Sequence, residues 1–262
     1  MHIYHYGADS QQFGQLFRPQ NDAFLSVVIV VHGGYWKDNH SLDSYPTKQI
    51  VAYLANKNVA VWNLEYRRMN SVGANVSAPW PSIFNDVAQG IDFLTTLATE
   101  HKLDLRNVMI IGHSAGGHLA TWAASRGMID KNSALYKAEY LAIKTVIAIA
   151  GVLDLRRRND LGQPQQIVKL LAGEFADGHS RIKNCNPAQL IDNSVKYIIM
   201  HGDKDKEVNI KQAISFVSSS NEANIVFHVL AGIDHFTMFP SFNENLQSWQ
   251  LLQHIISDNL AL

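Results

Sequence analysis

Apolar residues along this chain form two alternating kinds of run, and their order predicts the architecture. Residues 24–31 (Phe-Leu-Ser-Val-Val-Ile-Val-Val) are almost continuously apolar, as in a strand buried on both faces of a parallel sheet. Shorter runs of the same kind occupy 59–66, 108–111, 145–150, 195–200 and 225–230. Elsewhere apolar positions recur at helical spacing: Ile50, Val51, Leu54 and Ala55 within 44–56, then Ile83, Val87, Ile91, Leu94 and Leu97 within 82–101. Helices are also predicted over 114–125 and 242–260, and two short edge strands over 3–6 and 15–18. The stretch 67–81, rich in Gly, Ser, Asn and Pro, reads as a loop. Strand alternating with helix predicts an α/β fold: a doubly wound, mostly parallel sheet of about eight strands in a single domain over 1–262. The interval 151–194 breaks the alternation, with room for about two helices and no strand, so a small helical cap or a decorated crossover is expected there.

Composition narrows the function classes. At 262 residues, 47% hydrophobic and 17% charged, the chain can bury a sizeable core without disulfides or metal. Net charge is −1 and no Lys/Arg run exceeds Arg156-Arg157-Arg158, so nothing points to a nucleic-acid or membrane-surface partner. The one cysteine, Cys185, leaves no internal disulfide and suits a reducing compartment. Residues 1–7 are neither basic nor apolar, and no apolar run reaches the ~20 residues of a membrane span, so a cytoplasmic protein acting on a small-molecule substrate is expected.

The chemistry concentrates where the 108–111 strand meets the 114–125 helix. Gly112-His113-Ser114-Ala115-Gly116 is a G-x-S-x-G string between a buried strand and a helix, the context in which it has a mechanism. The chain must turn within about two residues, which lifts the serine hydroxyl above the carboxyl edge of the sheet. A serine is a weak nucleophile near neutral pH and needs a base, which in turn needs an orienting acid. His235 follows the last strand and a glycine turn. For the acid, Asp205 is favoured over Asp203 and Asp154, all of which follow strands. Oxyanion donors are expected from the Ala115 N–H and from Gly34 and Tyr35 in the loop His32-Gly33-Gly34-Tyr35-Trp36. Trp36, Trp80, Phe236 and Phe239 lie in or near loops that could wall a substrate pocket. H-E-x-x-H, a phosphate loop and G-x-G-x-x-G are absent, so no metal and no nucleotide cofactor are expected.

Together, residues 32–36, 112–119 and 201–205 resemble the α/β-hydrolase fold. More narrowly, the H-G-G-x-W loop, Val61–Arg67, Asn186-Pro187-Ala188 and Asp234-His235-Phe236 are similar to segments of the arylformamidase (kynurenine formamidase) branch, from about residue 24 to the C-terminus. That resemblance implies Ser114, Asp205 and His235 as a catalytic triad, with no cofactor. It also implies N-formylkynurenine as the leading substrate. H-G-G-x-W occurs in small-ester hydrolases too, so a short-chain carboxylesterase is the alternative, and a non-catalytic hydrolase-fold binding protein is the alternative of another class.

Overall fold

The computed structural model describes every residue except 22, 71–77, 79, 174–179, 221–223, 245 and 261–262. Most of the loop expected over 67–81 lies outside the described residues. The strands are β1 (His2–His5), β2 (Phe13–Phe17), β3 (Leu25–Val31), β4 (Ala60–Leu64), β5 (Leu103–His113), β6 (Ile143–Ile149), β7 (Lys196–Gly202) and β8 (Asn224–Leu230). They form one eight-stranded sheet in the order β1-β2-β4-β3-β5-β6-β7-β8. The pairings of β1 with β2 and β2 with β4 are antiparallel, and the rest are parallel.

Period-two alternation divides β3 between two cores. Val27, Ile29 and Val31 pack with α2 (Ser82–Asp92) and α4 (Ala115–Ala124), while Val28 and Val30 pack with α1 (Lys48–Ala55) and α8 (Gln247–Leu260) on the opposite face. Burying each such aliphatic contributes roughly 1.5–3 kcal/mol relative to exposure. Helix α4 is buried along its whole length, and Gly116, Gly117, Ala120, Ala123 and Ala124 are the small residues that let it lie close to the sheet. The chain leaves β3 toward β4 on one side and enters β5 on the other. The strand order therefore reverses between β3 and β5, where open α/β sheets form a crevice at their carboxyl ends.

Two expected elements are shorter than their apolar patterns. The helix expected over 82–101 ends at Asp92, and α3 (Leu94–Leu97) is a separate short turn. Thr95 and Thr96 hydroxyls donate to the carbonyls of Asp92 and Phe93 at 2.7 Å, taking acceptors that a continuing helix would use. The helix expected from residue 44 starts at Lys48, because Ser41 and Ser44 bond to each other and Pro46 disfavours helical backbone at Tyr45. Between residues 151 and 194 the described residues hold α5 (Gln165–Leu170), α6 (Ser180–Cys185), two short 3₁₀ turns and no strand. The remaining helix, α7 (Lys211–Val217), connects β7 to β8.

Candidate active site

Ser114 occupies the turn between β5 and α4 with φ 59° and ψ −123°. Left-handed backbone at a non-glycine residue costs about 1–3 kcal/mol, so the surroundings must impose it. They do so from both sides. A Cβ at Gly112 would collide with the Gly116 carbonyl, and one at Gly116 with the Val31 carbonyl. The Ser114 N–H donates to the Ile149 carbonyl at 2.9 Å, tying the turn to β6. Ala115 is the first helical residue, so its N–H has no acceptor within the helix and points outward from the positive end of the α4 dipole.

The loop after β8 brings His235 to the same place. His235 Nδ1 meets Asp205 Oδ2 at 2.7 Å, with both side chains almost completely buried. The carboxylate only accepts, so Nδ1 carries the proton and Nε2 keeps its lone pair. Asp205 Oδ1 accepts from the N–H groups of Glu207 (2.9 Å) and Val208 (2.8 Å), which fixes the carboxylate plane. Burial pushes the Asp205 carboxyl up, but hydrogen bonds from His201, His235 and the Val208 N–H, with attraction to His235, hold it well below the usual range. The other acidic candidates are occupied elsewhere. Asp203 accepts from the Gly232 N–H, and Asp154 is held by Arg156, Asn186 and Ser215.

The loop after β3 closes the third side. Gly34, Tyr35 and Trp36 have φ of 106°, 52° and 57°, a left-handed run that only strong anchoring can hold. His32 provides part of that anchoring, with Nδ1 on the Gly33 carbonyl and Nε2 on Glu65 Oε1, each at 2.8 Å, under the stacked ring of Tyr66. Glu65 Oε2 also accepts from the Leu42 N–H at 3.1 Å, and the Met69 N–H donates to the Trp36 carbonyl at 2.8 Å. At the outer end the Tyr35 hydroxyl donates to the Glu207 carbonyl at 2.7 Å, linking this loop to the one that carries Asp205. The Tyr35 N–H has no acceptor among the described residues.

A cavity of about 140 Å³ contains Ser114 and His235, walled by Gly34, Tyr35, Lys37, Tyr45, Gln163 and Phe236. An open groove of about 820 Å³ continues from His235 and Phe236 past Lys204, Thr237 and Phe242. Three of the aromatic residues expected at the pocket lie elsewhere. Trp36 is fully buried, edge-on to His118 at 5.3 Å, because its left-handed backbone turns the ring into the core. Trp80 lines a separate depression with Asp130, Ser133 and Arg181. Phe239 is buried 5.1 Å from the His113 ring. Conversely Tyr45, Glu65, Gln163 and Glu207 were not legible as site residues. Only Glu65 left a trace in the sequence, as a carboxylate closing an apolar strand. Among the described residues no group of three or more His, Cys, Asp or Glu is arranged to hold a metal ion.

A doubly wound sheet with a serine elbow after a central strand, and a histidine–aspartate pair delivered by later loops, defines the α/β-hydrolase fold. Residues 15–219 match the BD-FAE family, and the chain belongs to it. Esterase LipC of Mycobacterium tuberculosis (strain ATCC 25618 / H37Rv) is 24% identical over 229 residues, covering 81% of this chain and 53% of that protein. The chain spans about half the length of the curated relatives it matches. A truncated carbohydrate esterase from gut microbiota superposes with a TM-score of 0.78 at 20% identity, over 100% of this chain and 97% of that one. Thermogutta terrifontis esterase 2, phosphonylated by sarin, gives 0.76 at 18% identity, over 98% and 94%. No helix among the described residues is long and apolar enough to cross a membrane.

Proposed function

We propose that this protein is a serine hydrolase that cleaves short-chain carboxylic esters through an acyl-enzyme. The observation that carries the proposal is Ser114, held in left-handed backbone, in one cavity with a His235 whose Nδ1 is committed to Asp205. In this reading Ser114 Oγ attacks the ester carbonyl while His235 Nε2 takes its proton, and Asp205 stabilises the resulting imidazolium. The N–H groups of Ala115 and Tyr35, with Gly34 beside them, receive the oxyanion. His235 returns the proton to the departing alkoxide, and a water activated by the same nitrogen then releases the acid.

The names of the relatives, which are esterases, favour an ester over the formamide that the sequence motifs suggest. The wall of four aromatic residues expected from the sequence also loses Trp36, Trp80 and Phe239, and of those four only Phe236 lines the cavity. A cavity of about 140 Å³ is the liquid-volume share of roughly four to five waters, room for a small acyl group. A panel of p-nitrophenyl esters from acetyl to octanoyl, run beside N-formylkynurenine, tests the reading. The expected result is acetyl or propionyl preferred over octanoyl, with each excluded methylene costing ~1–3 kcal/mol in kcat/KM. Efficient formamide cleavage with poor ester turnover would return the protein to the arylformamidase reading. No turnover and no covalent labelling would leave a binding protein.

A further inference from the structure

Tyr45 and His113 form a buried pair that the chemistry above does not use. His113, the residue before the nucleophile, is fully buried, and its Nε2 lies 2.8 Å from the backbone carbonyl of His235. A carbonyl can only accept, so Nε2 carries the hydrogen and Nδ1 is left with a lone pair. The Tyr45 hydroxyl is 2.9 Å from that Nδ1, so it must donate there. Its proton is thus committed, and toward the cavity it shares with Ser114 it can offer only an acceptor lone pair. The same hydroxyl lies against the oxyanion loop, since a Cβ at Gly33 would meet it at 2.5 Å. Across the ring, Phe236 of the base loop stands edge-on at 6.4 Å.

From this geometry we infer that Tyr45 is a positioning residue, and that an uncharged relay runs from its hydroxyl, beside the cavity that holds Ser114, through His113 to the peptide carbonyl of the general base. The inference rests on the hydrolase reading above. His235 is then held at two points: its ring by Asp205 and its backbone by His113. The relay works only with neutral His113. Burial lowers the affinity of His113 for a proton, as does His235, whose ring centroid is 4.7 Å away. A charge on His113 would oppose the imidazolium that His235 must become. Burial likewise raises the Tyr45 phenol, which keeps its proton on oxygen.

The substitution Tyr45→Phe keeps the ring and removes the hydroxyl. Leaving buried polar groups without their partner is expected to reduce kcat about 10- to 100-fold per active site, with KM within about threefold. The count of active sites comes from titration with a fluorophosphonate, so misfolded protein does not enter the rate. His113→Leu breaks both bonds and is expected to match Tyr45→Phe, and the double variant to lose no more than the worse single one. His113→Gln can accept through its carbonyl oxygen and donate through its amide, and cannot take up a proton. It is expected to recover at least about tenfold over His113→Leu, on the scale of a restored buried hydrogen bond. The inference is overturned by a Tyr45→Phe rate per titrated site within twofold of the parent, by losses that multiply in the double variant, or by no difference between His113→Gln and His113→Leu. If Tyr45→Phe does not fold, the two His113 variants decide alone. Failure of the parent itself to react with the fluorophosphonate would instead overturn the hydrolase reading.

Discussion

Replacing Asp205 by Asn is isosteric, and the structure specifies what it should do. Oδ1 of Asp205 accepts two N–H groups, from Glu207 and Val208, which an asparagine carbonyl oxygen can keep. The asparagine nitrogen must then face His235 Nδ1, where an oxygen accepts at present. Two donors cannot face each other, so the imidazole changes tautomer: Nδ1 accepts and the proton moves to Nε2. The base then presents a hydrogen to Ser114 where it needs a lone pair. Fold and packing are retained, while the rate falls by about 10⁴, the scale of a base locked in the wrong tautomer. The assay is kcat/KM on p-nitrophenyl acetate, with the thermal midpoint measured alongside. Asp203→Asn and Asp154→Asn, whose carboxylates bind other partners, should stay within about tenfold of the parent, as expected of groups outside the reacting set. A loss below tenfold for Asp205→Asn, or a larger one for either alternative, refutes the assignment of the acid.

Other consequences concern stability and cofactor independence. A methyl group at Gly116 would strike the carbonyls of Val31 and His32, so Gly116→Ala should lower the melting temperature by roughly 6–12 °C, from about 3 kcal/mol of overpacking; an unchanged melt would show that the elbow is not tight. Trp36→Ala should cost about 3–5 kcal/mol of stability in denaturant unfolding and leave the ratio of acetyl to butyryl turnover unchanged, because the ring is core; a broadened acyl preference at full stability would make it a pocket wall. Asp205 has a folded pKa below its unfolded value, near 3.9, so its stabilisation is present above that value and lost as pH falls below it. Melting temperature should therefore start to drop near about pH 5 and go on dropping below about pH 3, less steeply in Asp205→Asn, whose side chain does not titrate. Ester turnover should survive prolonged EDTA treatment, since no ligand spacing for a catalytic metal occurs in the sequence; activity restored only by added metal would count against a serine mechanism.

The alternation of apolar runs was enough to locate the sheet, because strands buried on both faces have a composition that few other elements share. It also located the elbow, because Gly112 and Gly116 bracket a strand-to-helix junction that leaves no room for side chains. That His235 and Asp205 meet was readable for a related reason: each follows a strand of the parallel part of the sheet, β8 and β7. What failed was orientation. Trp36 is adjacent to Tyr35 in the chain, yet a left-handed run turns one ring into the core and leaves the other at the cavity. Sequence spacing carries no information about that rotation, which depends on Glu65 and Met69 from the stretch after β4 and on Glu207 after β7. Tyr45 was hidden for a similar reason. It reads as the start of a helix, and only the tertiary fold brings its hydroxyl to His113.

Peptide mapping by mass spectrometry after reaction with a fluorophosphonate tests the central claim most directly. A nucleophile at Ser114 activated by His235 predicts one phosphonyl adduct per chain on the peptide containing Ser114. It also predicts no adduct in Ser114→Ala and strongly slowed labelling in His235→Ala, together with a loss of turnover of up to about 10⁶-fold in either variant. An adduct on another residue, or ester turnover in Ser114→Ala within tenfold of the parent, would contradict it.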